Sequence, residues 1–279
     1  MKKYLALFLT MAMSVGVLAG CGGGNEEPAA TDGADTAERT TFTVGFDAEY
    51  PPYGFKNDAG EYVGFDLDLA QEVCDRNGWE LIKQPIDWSS KDMELNSGTV
   101  DCLWNGFTMT GRESEYTFSE PYVDNSIVFV VRQDSDIQTK EDLAGKIVIT
   151  QAGSSALTAL TNTEDNDENL ALAATFASLE QTPDYNSAFM SLETGAVDAI
   201  AVDIGVAQYQ LTNHSDKFRQ LEEPLSTEQY AIAFKLGNEE LRDQVQAPLD
   251  EMVADGTFDA IAANYADYNL DQMVCLGKE

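Results

Sequence analysis

One histidine, four cysteines and sixteen Lys or Arg are all this 279-residue sequence has of the side chains that most often attack, ligate metals or grip phosphate. Each shortage removes a class of function. The single imidazole, His214, sits in the polar run 212–216, and no Gly-x-Ser-x-Gly elbow occurs, so nucleophilic catalysis by a Ser–His or Cys–His pair has no support. The glycine patterns that cradle phosphates are missing. No two cysteines stand at Cys-x-x-Cys spacing, which argues against a thiolate metal site. Neither a metal nor a cofactor is expected. Against 49 Asp+Glu the basic residues leave a net charge of −33, which repels phosphate backbones and excludes nucleic acid as a partner. Mean hydropathy is −0.27, too polar for a polytopic membrane protein. What is present is apolar mass: 43% hydrophobic and 10% aromatic residues suffice for packed cores, over one to two domains.

The N-terminus reads as a targeting segment. Lys2 and Lys3 precede an apolar run, residues 5–17, that is shorter than a typical membrane-spanning helix. Leu18-Ala19-Gly20-Cys21 then resembles the lipobox of bacterial lipoproteins, where cleavage precedes the cysteine and the thiol receives a lipid. Residues 1–20 are therefore expected to be a signal peptide, Cys21 the lipidation site, and 21–41 a flexible tether opened by three glycines. This places the mature chain outside the cytoplasm, lipid-anchored to the outer face of the bacterial cytoplasmic membrane. The remaining cysteines, Cys74, Cys102 and Cys275, are odd in number, so at least one is free. Cys74 falls on the apolar face of a helix and Cys102 on one face of a strand, as small buried hydrophobes do.

From residue 42 short apolar strands alternate with helices, which predicts an α/β fold with mainly parallel sheets. Strands are expected at 42–46, from 81, at 100–104, 127–131, 147–150, 175–176, 199–202 and 231–234. Helices are expected at 65–76 (closed by Asn77-Gly78 as a left-handed cap), 91–96, from 154, at 185–192, and over 238–265, with Pro248 kinking or splitting the first of that last set. Ser97-Gly-Thr-Val-Asp101 and Thr194-Gly-Ala-Val-Asp198 each precede a strand, which points to two similarly wound lobes. The acidic run 164–168 has the alternation of a calcium loop, but Leu170 and Phe176 stand where such a loop needs Gly and Glu, so it reads as a solvated acidic loop.

What remains is a ligand site. Residues 149–155 run from a strand through a tight turn into Ser154-Ser155 at a helix start, where free N–H groups and hydroxyls suit a carboxylate. A plain serine N-cap explains the same residues equally well. Arg112 could grip a carboxylate bidentately, or pair on the surface with Glu113 or Glu115. Asp203 ends a strand, where it could hold an ammonium. Tyr50 and Trp88 each follow a strand, as pocket aromatics do.

These residues carry a resemblance. Gly45-Phe-Asp47-Ala-Glu-Tyr50-Pro-Pro-Tyr53, Gly64-Phe-Asp66-Leu-Asp68-Leu-Ala70 and Thr108-Met-Thr110-Gly-Arg112 resemble the polar-amino-acid solute-binding proteins of ABC importers. Ser119-Glu-Pro121-Tyr122, Asp142-Leu-Ala-Gly145-Lys146 and residues 197–203 continue the match in order, over essentially all of residues 42–270. The resemblance implies a two-lobed, periplasmic-binding-protein-like (type II) fold. Each lobe is a mainly parallel sheet flanked by helices; residues 42–124 with 225–279 form the first, 125–224 the second, and two hinge strands join them. It implies a monomer that closes on one free amino acid and delivers it to permease subunits. Arg112 would grip the ligand α-carboxylate, helped by Thr108, Ser154 and the Ser155 N–H. Asp203 would pair with the α-ammonium, helped by the backbone of Gly106 beside Asn105. Tyr50 and Trp88 would sandwich the ligand side chain, with Asp47 and Gln151 near its end. One departure is visible: the family has two residues between the second threonine and the arginine, and here only Gly111 intervenes. Some proteins of this fold resemble cyclohexadienyl dehydratases, but an Arg112–Asp203 pair suits a zwitterion rather than a dicarboxylate. A ligand-sensing ectodomain is a third reading, and it could signal only through a partner.

Overall fold

The computed structural model describes residues 39–162 and 167–278. Cys21, the signal segment and most of the tether lie outside the described residues, as does the start of the acidic run. The end of that run departs from a loop: Asp167–Ala173 is helical.

Two sheets carry the structure. In the first, Glu80–Pro85, Thr41–Phe46 and Cys102–Leu103 run parallel in that order, and Ala233–Lys235 and Tyr116–Phe118 continue antiparallel. In the second, Ser178–Thr182, Ile147–Gln151 and Ala199–Asp203 are parallel, and Val123–Arg132 follows antiparallel. Both lobes thus place the second strand beside the first, the third on its other side, and then a strand belonging to the crossing chain. The parallel part of each sheet is its first three strands; in the second sheet Phe218–Gln220 also pairs antiparallel with Val123–Arg132.

The repeated Gly-x-Val-Asp signature has one structural role, used twice. Asp101 accepts from the Thr43 N–H at 2.7 Å and returns its own N–H to the Thr43 carbonyl at 2.8 Å. Asp198 does the same with Ile147, at 2.9 and 2.8 Å. Gly98 and Gly195, at φ +79° and +75°, turn the chain out of the preceding helix in each lobe.

The long strand Val123–Arg132 links the sheets. Its first half pairs antiparallel with Ser226–Tyr230, from Val123↔Tyr230 to Ile127↔Ser226, and only then does it enter the second sheet. Residues 127–131 are at most 1% exposed, as their unbroken apolar run requires of a strand covered on both faces. Helix Phe65–Asn77 packs Leu69, Ala70, Val73 and Cys74 into the core and ends at Gly78 in the left-handed region, as the sequence predicts. Cys74 and Cys102 are fully buried thiols, and Cys275 is also unpaired.

Two expectations are corrected. The strand placed at 175–176 is Ser178–Thr182; Thr175 and Phe176 form the turn before it, with Phe176 donating its N–H to the Ala173 carbonyl. Pro248 does not split its helix, which runs unbroken from Glu239 to Asp255. Proline supplies no N–H for the carbonyl four residues back. That carbonyl, on Gln244, accepts instead from the side-chain amide of Asn77 at 2.9 Å. The break comes at Gly256, φ +82°.

Candidate functional site

The site lies between the lobes, beside the paired crossing strands. Nine of the eleven residues singled out from sequence line one cavity: Tyr50, Trp88, Gly106, Thr108, Arg112, Gln151, Ser154, Ser155 and Asp203. Its free volume is about 10 Å³, the room of a single water. Hydrogen bonds cross the cleft from Gln151 to Asp47 and from Lys91 to Gly153, so the two lobes are closed on one another.

At one end stands Arg112. Gly111, at φ +80°, sits in a turn closed by the Arg112 N–H on the Met109 carbonyl at 2.9 Å. This tight turn is how the shortened loop still delivers Arg112 to the cleft. The guanidinium lies 5.0 Å from the Phe107 ring centroid, and no described residue forms an ion pair with it. Neither Glu113 nor Glu115 is its partner. Across the cleft, Ile147–Gln151 feeds the turn at Gly153 (φ +72°) into helix Ser155–Thr161. Ser154 caps this helix, its Oγ accepting from the Leu157 N–H at 3.1 Å. The capping reading and the cavity reading are therefore both true of Ser154. Lys91 crosses from the first lobe: it is 7% exposed and donates to the Gly153 carbonyl at 3.2 Å. Its burial lowers its pKa, and the charge of Arg112 pushes the same way.

At the other end Asp203 is 2% exposed. Its Oδ1 accepts from the Tyr230 hydroxyl at 2.5 Å and the Asn125 amide at 2.8 Å. Burial raises its pKa, and these hydrogen bonds oppose the rise. Gly106, at φ +58°, faces it from the first lobe, and a Cβ there would come within 2.9 Å of the Tyr230 ring. Its N–H donates to Asp66 Oδ2 at 2.6 Å, which fixes the orientation of the 106 peptide.

Asp47 and Asn105 stand just behind the cavity wall. Asn105 Oδ1 accepts the Asp47 N–H at 2.9 Å, and Asp47 Oδ2 accepts from Gln151 Nε2 of the opposite lobe at 2.6 Å. Burial, with the nearby charges of Asp184 and Glu49, lifts the Asp47 carboxyl to about 6. Reasoning from sequence missed Asn125, Tyr230 and Glu228. The polar start of the run 123–131 could have flagged Asn125. Glu228 carries no signal among 49 acidic residues.

Comparison with known proteins fits this geometry. Residues 42–268 match the bacterial extracellular solute-binding proteins, family 3. The chain is 30% identical over 276 residues to the L-cystine-binding protein TcyA of Bacillus subtilis (strain 168), covering 95% of this chain and 97% of that one. An ABC uptake transporter substrate-binding protein from Streptococcus pneumoniae with bound histidine superposes with a TM-score of 0.76 at 31% identity, over 81% of this chain and 92% of that one. An ancestral amino acid-binding protein, a precursor of cyclohexadienyl dehydratase, follows at TM-score 0.72 and 27% identity, over 81% and 95%. The two crossing strands, the closed cleft and the match over 42–268 place this chain among the bacterial extracellular solute-binding proteins of family 3.

Proposed function

We propose that the protein captures one free amino acid outside the cytoplasm and passes it to the permease subunits of an ABC importer. The observation that carries this reading is the cavity-lining guanidinium of Arg112, without a counter-ion among the described residues, facing Ser154 and Ser155 while the buried acid Asp203 stands at the other end. One cation and one acid at opposite ends of a small cleft match a zwitterion. In this reading Arg112, Thr108 and the Ser155 N–H take the α-carboxylate; Asp203 and the Gly106 carbonyl take the α-ammonium. Tyr50 and Trp88 flank the side chain. Lobe boundaries fall at 42–124 with 225–279, and at 125–224, so that Arg112 and Asp203 belong to different lobes. The acids Asp47, Glu49 and Asp184 near the side-chain end favour a ligand whose side chain donates hydrogen bonds. Relatives whose names record cystine or histidine support an amino acid as the class.

A thermal-shift screen of the twenty protein L-amino acids with cystine, ornithine and citrulline tests this. A ligand at 100 times its Kd adds about 2.7 kcal/mol, which for a chain of this size raises Tm by roughly 5–10 °C. No shift with any compound would remove the reading.

The membrane attachment is proposed to run through a lipid on Cys21. In cells, Cys21→Ser should shift the protein from the membrane fraction to the soluble fraction and abolish incorporation of labelled palmitate. Continued labelling of that variant would disprove the anchor.

A further inference from the structure

Behind the cleft, Glu228 makes a connection that the amino-acid reading leaves unexplained. A single carboxylate oxygen, Oε1, accepts three hydrogen bonds: from the Thr108 hydroxyl at 2.7 Å, the Asn125 amide at 2.8 Å and the Ser155 hydroxyl at 3.1 Å. The donors come from three parts of the molecule. Thr108 follows the third strand of the first sheet, and Ser155 opens a helix of the second lobe. Asn125 is the direct partner of Glu228 across the paired crossing strands. Glu228 does not line the central cavity. It lines an adjoining groove of about 210 Å³ that shares Thr108, Arg112 and Ser155 with the central cavity.

We propose that Glu228 is a positioning residue for closure: from the second hinge strand its Oε1 ties Thr108 of one lobe to Ser155 of the other, turning both hydroxyls away from the ligand and leaving their backbones to face it. The proposal rests on the amino-acid reading of the cleft. The tie can exist only while the lobes are together, because rotation about the crossing strands draws Ser155 away from Thr108. It is also specific in chemistry. Three donors converge on one atom, so an acceptor oxygen is required there, and an apolar residue of similar size would leave two hydroxyls and an amide without it. The same Asn125 amide reaches Asp203 at 2.8 Å, so the tie at the carboxylate end and the acid at the ammonium end share one donor.

The test compares wild type, Glu228→Ala, Glu228→Gln, Ser155→Ala and the Glu228→Ala/Ser155→Ala pair. Rates are followed by stopped-flow tryptophan fluorescence with each of the twenty protein L-amino acids and L-cystine as single probes. Small-angle X-ray scattering is recorded without ligand. Glu228→Ala should raise the dissociation rate of any probe that wild type binds about tenfold and leave the association rate within about twofold. Glu228→Gln, which keeps an oxygen at that place, should return the dissociation rate to within about threefold of wild type. Ser155→Ala should add little in the Glu228→Ala background, because both variants cut one connection. Without ligand, Glu228→Ala should show a larger radius of gyration than wild type. Additive losses from the two alanine variants, or equal impairment of Glu228→Ala and Glu228→Gln, would overturn the proposal. So would wild-type dissociation with an unchanged radius of gyration in Glu228→Ala. If wild type binds none of the probes, the amino-acid reading fails, and the scattering comparison alone still decides the tie.

Discussion

Replacing Arg112 by alanine should lower the affinity for every amino acid that the protein binds by about a hundredfold or more. The α-carboxylate is common to all of them, so the ranking among ligands should stay the same while the whole series weakens. Charge-assisted hydrogen bonds are worth roughly 1.5–3 kcal/mol each, and a bidentate guanidinium makes two. A loss of about 3 kcal/mol corresponds to a little over two orders of magnitude in Kd. Arg112→Lys should recover only part of this, since an ammonium offers a point charge rather than a fork. The turn around Gly111 does not depend on the side chain, because it is closed by the backbone N–H of residue 112, so the alanine variant should keep its Tm. Titration calorimetry on purified wild type and both variants measures this. Wild-type affinity in Arg112→Ala would sink the assignment.

The second large effect is on stability against pH. Three carboxyls are pushed up by burial: Asp47 to about 6, and Asp66 and Glu228 each to about 7. Their ordinary values are 3.8, 3.8 and 4.5, so the folded protein holds protons that the unfolded chain has released. Stability from these groups is fully present below about pH 4 and is lost as pH rises through 6 to 7. For Asp66 alone a rise from 3.8 to about 7 amounts to roughly 4 kcal/mol. The net charge of −33 acts in the same direction, because self-repulsion grows as carboxyls ionise. Ligand-free protein should therefore melt on the order of 10 °C lower at pH 8 than at pH 5. Asp66→Asn keeps an acceptor oxygen for the Gly106 N–H and Tyr122, and should flatten part of that slope. A Tm that is level or rises from pH 5 to pH 8 would contradict the assignment.

What could be read from the sequence divides along physical lines. The strand at 127–131 was legible because burial on both faces demands an unbroken apolar run, and the helix expected at 65–76 because a left-handed glycine marks its end. The strand Ser178–Thr182 was not. It lies at the edge of its sheet and is largely polar, so a neighbouring Thr-Phe pair in a turn outweighed it. Pro248 misled for another reason: the donor that replaces its missing N–H lies on Asn77, 171 positions earlier in the chain than the proline, and no local pattern reveals it. In the site, the turn into Ser154 and Ser155 was legible from its residues, whereas Gly106 came from the family resemblance and the turn at Gly111 that carries Arg112 was seen only as a shortened loop. Glu228 became visible only through Asn125, 103 residues away in sequence and opposite it across the paired strands.

The closure of the cleft has a kinetic meaning. Side-chain hydrogen bonds span it, from Gln151 to Asp47 and from Thr108 and Ser155 to Glu228, and an amino acid enters only when they part. Capture must then begin from the open form, so the observed association rate is the encounter rate multiplied by the fraction of time the lobes stand apart. A substitution that strengthens closure in the absence of ligand would lengthen residence and slow capture together. Selection on an importer fed by brief pulses of substrate would weigh these two rates against each other, and the strength of the contacts across the cleft is where that balance is set.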